Sequence, residues 1–243
     1  MFEPPTYPSL DPHGRPLKYV PLKTFLHPQQ PPVNLSDHGS GFEFLRRMRI
    51  CDDYVDAFRD LADYNDTVYT YNEGILHIPG VTVAYSRNTM QHRLISLPPA
   101  KDLYDSWGAS PSDGPVLPGG LIAYEACRLA ALTYSVMVTF PLPRSRYARD
   151  RALTALREAL GGIDPTCQDP DAARLYLWCL TVASIGALDP EQRDWFMWQT
   201  NRLAVALHVQ LWEDAEDIFF TFVWLEGACS PAGRALWAQF WQW

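Results

Sequence analysis

No pair of cysteines in this 243-residue chain stands at CxxC spacing, and the five present (Cys51, Cys127, Cys167, Cys179 and Cys229) are odd in number and widely spread. A zinc module and a disulfide framework are therefore not expected. No GxSxG elbow, GxxxxGK[ST] loop or HExxH helix occurs, which removes the common hydrolases, nucleotide-binding enzymes and zincins. The six histidines (His13, His27, His38, His77, His92 and His208) form no i, i+4 pair for a metal. The first ten residues hold Pro4, Pro5 and Pro8 and no apolar stretch, unlike a secretory leader. The apolar run Leu175 to Leu188 is shorter than the roughly 20 residues that cross a bilayer. Positive charge is in deficit: 20 Lys and Arg against 28 Asp and Glu give a net charge of -8. That surface repels phosphate backbones, so direct nucleic-acid binding is not expected. An intracellular protein, in cytoplasm or nucleus, without metal, cofactor or membrane span, is the expectation.

What the chain does have is apolar material, 47% of residues, enough for a large core. Nine of the 21 prolines fall in residues 1–41, which predicts an extended strap. Residues 42–243 are expected to form a single all-α domain, an orthogonal helical array with one short strand. Phe44 to Asn65 repeats apolar residues at three and four positions, as a helix does. Val81, Val83 and Tyr85 alternate like a strand, and Met90 to Leu97 opens a helix that ends before Pro98-Pro99. A Pro/Gly/Ser-rich linker follows to Gly120. Helices are predicted over Leu121–Phe140, Tyr147–Leu160, Ala172–Leu188, Pro190–Val209 with Asp189 as N-cap, Trp212–Cys229 and Pro231–Trp243.

Chemistry has few anchors. Glu125 and Arg128 lie three residues apart on an apolar helix, with Tyr124 beside them. Such charges must be paired or hydrogen-bonded; either Glu125 is a general acid/base and Arg128 clamps an anionic group, or the two form a buried structural ion pair. Arg144, Arg146, Arg149, Arg151 and Arg157 read as a solvated helix face paired with Asp150 and Glu158 rather than an anion site. Glu213, Asp214, Glu216 and Asp217 suit the first turn of a helix and lack calcium-loop spacing. Gly119-Gly120 before a helix is a weak anion signal. Eight of the nine tryptophans follow Leu177. With Tyr134 and Tyr176 they are either core or the wall of an apolar ligand pocket.

One series of segments goes further. Tyr124-Glu125-Ala126-Cys127-Arg128-Leu129-Ala130-Ala131-Leu132-Thr133-Tyr134-Ser135 precedes Phe140-Pro141-Leu142-Pro143. Gln91-His92-Arg93-Leu94-Ile95-Ser96-Leu97-Pro98 comes before it; Leu177-Trp178, Arg193 with Trp195-Phe196, Phe222 with Trp224-Leu225, Cys229 and Leu236-Trp237 come after. From about Phe42 onward the chain resembles the fungal-specific transcription factor domain, the helical regulatory part of fungal zinc-cluster regulators. The resemblance implies an all-α fold and no catalytic residue. The six zinc-binding cysteines that such regulators carry upstream have no counterpart in the proline-rich segment, so this chain is not expected to read DNA by the family's route.

Two expectations follow. The first is a reused domain, a cofactor-free cyclase of the pericyclic (Diels–Alder) kind acting on an apolar natural product. Such a reaction needs only a shaped cavity and a donor to a carbonyl. Its candidate catalytic residues are His92, Thr133 and Tyr134; Thr133 stands where the family usually has an apolar residue. Its candidate substrate contacts are Tyr124, Glu125, Arg128, Tyr176, Trp178, Trp195 and Trp224. The second is a regulator or co-regulator domain that reaches DNA only through a partner chain. A homodimer or a protein partner is compatible with either.

Overall fold

The computed structural model describes residues 37–106, 119–140, 146–161 and 169–240. The proline strap lies outside them up to residue 36, as do most of the linker before Gly120, the Pro141-Leu142-Pro143 stop, and Trp107, Arg144, Cys167, Trp241 and Trp243. Among the described residues ten α-helices follow one another: α1 (Glu43–Arg47), α2 (Asp52–Asn72), α3 (Gly80–Ile95), α4 (Ala100–Ser106), α5 (Gly119–Tyr134), α6 (Arg146–Gly161), α7 (Pro170–Gly186), α8 (Pro190–Ala206), α9 (Trp212–Phe220) and α10 (Glu226–Phe240). The described residues contain no strand.

α5 and α7 form the centre. They pack on each other, α6 covers α5, and α8 covers α7, while α2 and α3 pair beside them. Their sequences account for this: both are apolar around nearly the whole circumference, so neither tolerates a wet face. α5 continues into a π turn, Ser135–Thr139, where a straight α-helix to Phe140 is predicted. With that turn it spans Gly119–Thr139, long and apolar enough to cross a bilayer by length alone, but most of its surface is buried against other helices. α7 and α8 start as their sequences prescribe. Asp169 and Asp189 each precede a proline, and their side chains accept the Asp171 and Gln192 N–H groups.

Three predicted elements come out differently. The alternation at Val81, Val83 and Tyr85 belongs to helix α3, which opens at Gly80 after Pro79. Val81 and Tyr85 are four residues apart, on one helical face, and both are exposed, so no sheet partner is needed. The single helix expected from Phe44 is broken at Met48–Cys51. Arg49 takes φ 65°, and Ile50 N–H bonds Leu45 O at 3.1 Å while Arg49 N–H bonds Arg46 O at 2.9 Å, a Schellman closure without glycine.

The single helix expected over Trp212–Cys229 is divided at Thr221–Leu225. Four consecutive carbonyls there take donors from elsewhere instead of from the next turn. Thr221 O accepts Gly41 N–H at 2.8 Å and Phe222 O accepts Gly39 N–H at 3.1 Å. Val223 O accepts Trp178 Nε1–H at 2.9 Å, and Trp224 O accepts Asn65 Nδ2–H at 3.2 Å. Buried carbonyls must be paired, and here three distant segments do it. Gly41 is required at this approach, because a Cβ there would penetrate the Phe222 ring. His38 fixes the same strand of chain by stacking on Phe220 and bonding Asp66.

Cys127, Cys179 and Cys229 are buried and Cys51 is exposed. Burial pushes all three buried thiols up, Cys229 to about 11. In a Cys167→Ser background, an aromatic disulfide reagent at neutral pH should therefore label Cys51 alone until denaturant exposes the other three. Rapid native labelling of Cys127 or Cys179 would contradict this packing.

Candidate functional site

The residues nominated from sequence fall into two internal junctions and four separate positions. The first junction joins the start of α5 to the Pro98-Pro99 corner. Tyr124, fully buried, donates its hydroxyl to Pro98 O at 2.8 Å. Glu125 Oε2 accepts the Ala100 N–H at 3.0 Å and so satisfies an orphan donor at the start of α4. Arg128 grips Glu125 with two bonds, Nε to Oε2 at 2.9 Å and Nη2 to Oε1 at 2.6 Å. Glu125 and Arg128 thus face each other and the α4 corner.

The second junction centres on Thr221–Leu225. Trp178 is fully buried between Phe42 and Phe222, at ring distances of 5.7 Å to each, and its indole holds Val223 O. Tyr134 donates to Asn65 Oδ1 at 2.6 Å, and Asn65 in turn holds Trp224 O. Trp224 donates its own indole N–H to Ser230 Oγ at 3.0 Å. Burial pushes the phenols of Tyr124, Tyr134 and Tyr176 upward, so they remain protonated donors at neutral pH. Every polar handle expected to hold a ligand at Tyr124, Tyr134, Trp178 and Trp224 is occupied within the chain.

The remaining nominees stand apart. Thr133 is fully buried and bonds back to Leu129 O at 2.9 Å within α5. His92 is exposed on α3. Tyr176 is core, and Trp195 is half-buried on α8 with the Arg157 guanidinium 5.5 Å from its ring centroid. His92 and Thr133 thus do not share an environment.

Two open surface grooves lie among the described residues. One of about 360 Å³ lies among Phe44, Arg47, Asp171, Arg174, Asp217 and Phe222. One of about 760 Å³ lies among Tyr69, Glu73, Leu225, Glu226, Pro231 and Arg234. None of the nominated residues lines either. Among the described residues no three His, Cys, Asp or Glu side chains converge as a metal site.

Two features escaped the sequence reading. Glu216, read from sequence only as part of an acidic first turn, is buried; it accepts Trp212 Nε1–H at 3.1 Å and the Ser230 hydroxyl, with Arg234 at 3.7 Å. It is the polar centre of an aromatic cluster of Trp212, Phe219, Trp224 and Trp237. The arginine run on α6 is only loosely paired: Arg146 with Asp150 at 3.8 Å and Arg157 with Glu191 of α8 at 3.6 Å. No family model, curated protein or solved structure matches this chain.

Proposed function

We propose that this chain is a helical regulatory domain that acts through a protein partner, intracellularly, and reaches DNA only through that partner. One observation carries the reading. The Tyr124 and Tyr134 hydroxyls and the Trp178 and Trp224 indoles, which a ligand cavity would use, are bonded to the chain's own carbonyls, Asn65 and Ser230. A pericyclic catalyst needs a cavity wall with a free donor. An interior committed to its own junctions leaves the surface as the place of function. The resemblance to the regulatory domain of fungal zinc-cluster proteins supports the same reading, as does the acidic charge that disfavours direct DNA contact.

The test fuses the full chain to an unrelated DNA-binding module upstream of a reporter in a fungal host. In parallel, the purified chain is incubated with polyene and terpenoid cyclisation substrates. A reporter output changed about tenfold relative to the module alone, a magnitude typical of one hot-spot interaction, supports the proposal. An unchanged reporter together with a cyclised product overturns it in favour of the enzyme.

A further inference from the structure

The outer face of α3 carries a regular repeat. Val81, Tyr85, Asn88, His92 and Ile95 follow one another at alternating spacings of four and three, and all five are exposed. That spacing lines them up as one narrow stripe along a helix. Val81 is 71% exposed, Tyr85 43% and Ile95 62%. Exposed apolar side chains scattered singly need no explanation; three on one stripe of one helix do. The opposite side of α3 is committed. Ser86, Met90, Gln91 and Leu94 are buried, and α3 packs on α2 and α5. The Ser135 hydroxyl donates to Gln91 Oε1, and Arg93 is paired with Asp60. The stripe is thus held from behind and has the spacing of a seam between two helices.

The order of residues along the stripe identifies what fits it. A second copy laid antiparallel, with the two-fold axis level with Met90, sets Tyr85 against Ile95 of the second copy, five residues to either side of that level. Asn88 meets His92 of the second copy, two residues to either side. Val81 and the exposed Pro99 stand nine residues to either side. The axis repeats each pair, as in every isologous interface. The pairs agree in chemistry: aromatic on aliphatic, apolar on apolar, amide beside imidazole. Asn88 Oδ1 accepts the Arg87 guanidinium at 3.4 Å, which leaves the Asn88 NH2 to donate to the imidazole across the seam. Charge agrees as well. Two chains of net charge -8 repel each other, and α3 contains no Asp or Glu. Its arginines lie off the stripe, Arg93 against Asp60 and Arg87 at 4.5 Å from the Phe140 ring centroid. The flanking Thr82, Ala84, Thr89 and Ser96 are small enough to admit a helix at the usual separation of about 8–10 Å. A helix of 16 residues is about 24 Å long. One such pair buries less than the roughly 1,200 Å² of a stable interface, so the association is weak and reversible.

We propose that α3 is the two-fold seam of a weak homodimer of this chain, formed by an antiparallel pair of α3 helices. The proposal goes beyond the regulatory reading above and does not depend on it.

Sedimentation equilibrium of the full chain from about 1 μM to about 1 mM tests it. The mean mass should climb with concentration from the monomer value toward the dimer value. Tyr85→Lys and Ile95→Lys should each raise the dissociation constant about tenfold, with circular dichroism and thermal melts unchanged because both side chains are exposed. Trp198→Lys, at an equally exposed site on α8, should dimerise like the parent. Disulfide trapping reads the register in a Cys51→Ser, Cys167→Ser background. Asn88→Cys mixed with His92→Cys should cross-link under oxidised glutathione in higher yield than either variant alone. A chain that is monomeric at about 1 mM overturns the proposal and leaves the stripe to a helix of another protein. So does a dimer that neither Lys variant weakens, or one that Trp198→Lys weakens as much as they do. Cross-linking of Asn88→Cys to itself as efficiently as in the mixture overturns the antiparallel pairing proposed.

Discussion

Trp178→Ala is expected to lower the unfolding free energy by about 3–5 kcal/mol, as large-to-small changes in closed cores do. The side chain is fully buried and is flanked by Phe42 and Phe222, so its removal leaves a void that stiff neighbouring rings cannot fill. It also strips Val223 O of its donor. Trp178→Phe separates the two contributions. It keeps most of the ring volume and removes the indole N–H, which leaves a buried carbonyl unpaired at a cost of about 1–3 kcal/mol. Urea unfolding followed by circular dichroism gives both values, with unchanged m-values as the check that the same surface is exposed. A Trp178 that walled a ligand cavity would behave otherwise. Its truncation would enlarge an existing space and change stability by well under about 1 kcal/mol, the range of surface substitutions.

The same junction explains where the sequence was readable. α5 to α8 were legible because each is long and strongly patterned, and α7 and α8 are capped by side chains that act locally, Asp189 above all. Local signals fail at Thr221–Leu225. Its apolar spacing continues the helical period of α9, and nothing nearby reveals that Gly39, Gly41, Trp178 and Asn65 will take its carbonyls. Those donors lie far away in the chain, so the break is a tertiary fact. Arg49 and His208 illustrate another limit. Both hold positive φ at helix ends where glycine or asparagine is the usual signal. For the candidate site, the i, i+3 pairing of Glu125 with Arg128 was visible as one of two options. Its third member, the Ala100 amide, was not, because it depends on how the Pro98-Pro99 corner meets α5. Segments distant in the chain touch at these junctions: Tyr124 meets Pro98, and Trp178 meets Val223.

Arg128→Ala should cost about 3–5 kcal/mol, because it strands the Glu125 carboxylate in a site only 14% exposed. Glu125→Ala should cost as much, since it strands the guanidinium and also removes the acceptor of the Ala100 N–H. The two losses should not add. With both side chains gone no charge is left unpaired, so the double variant should be more stable than the sum of the singles predicts, with a coupling of about 1–3 kcal/mol. Glu125→Met with Arg128→Leu, which fills the space with apolar side chains, should recover most of the parent stability. Hydrogen exchange adds a local reading: the Ala100 amide should lose protection in Glu125→Ala and in the Met–Leu variant, while amides in the middle of α7 keep theirs. If the pair instead clamped an anionic ligand, the free chain would gain stability when either charge was removed, and the double-mutant coupling would vanish in the absence of ligand. The bidentate geometry, the backbone amide at Oε2 and the adjoining Tyr124–Pro98 bond make the first outcome the expected one.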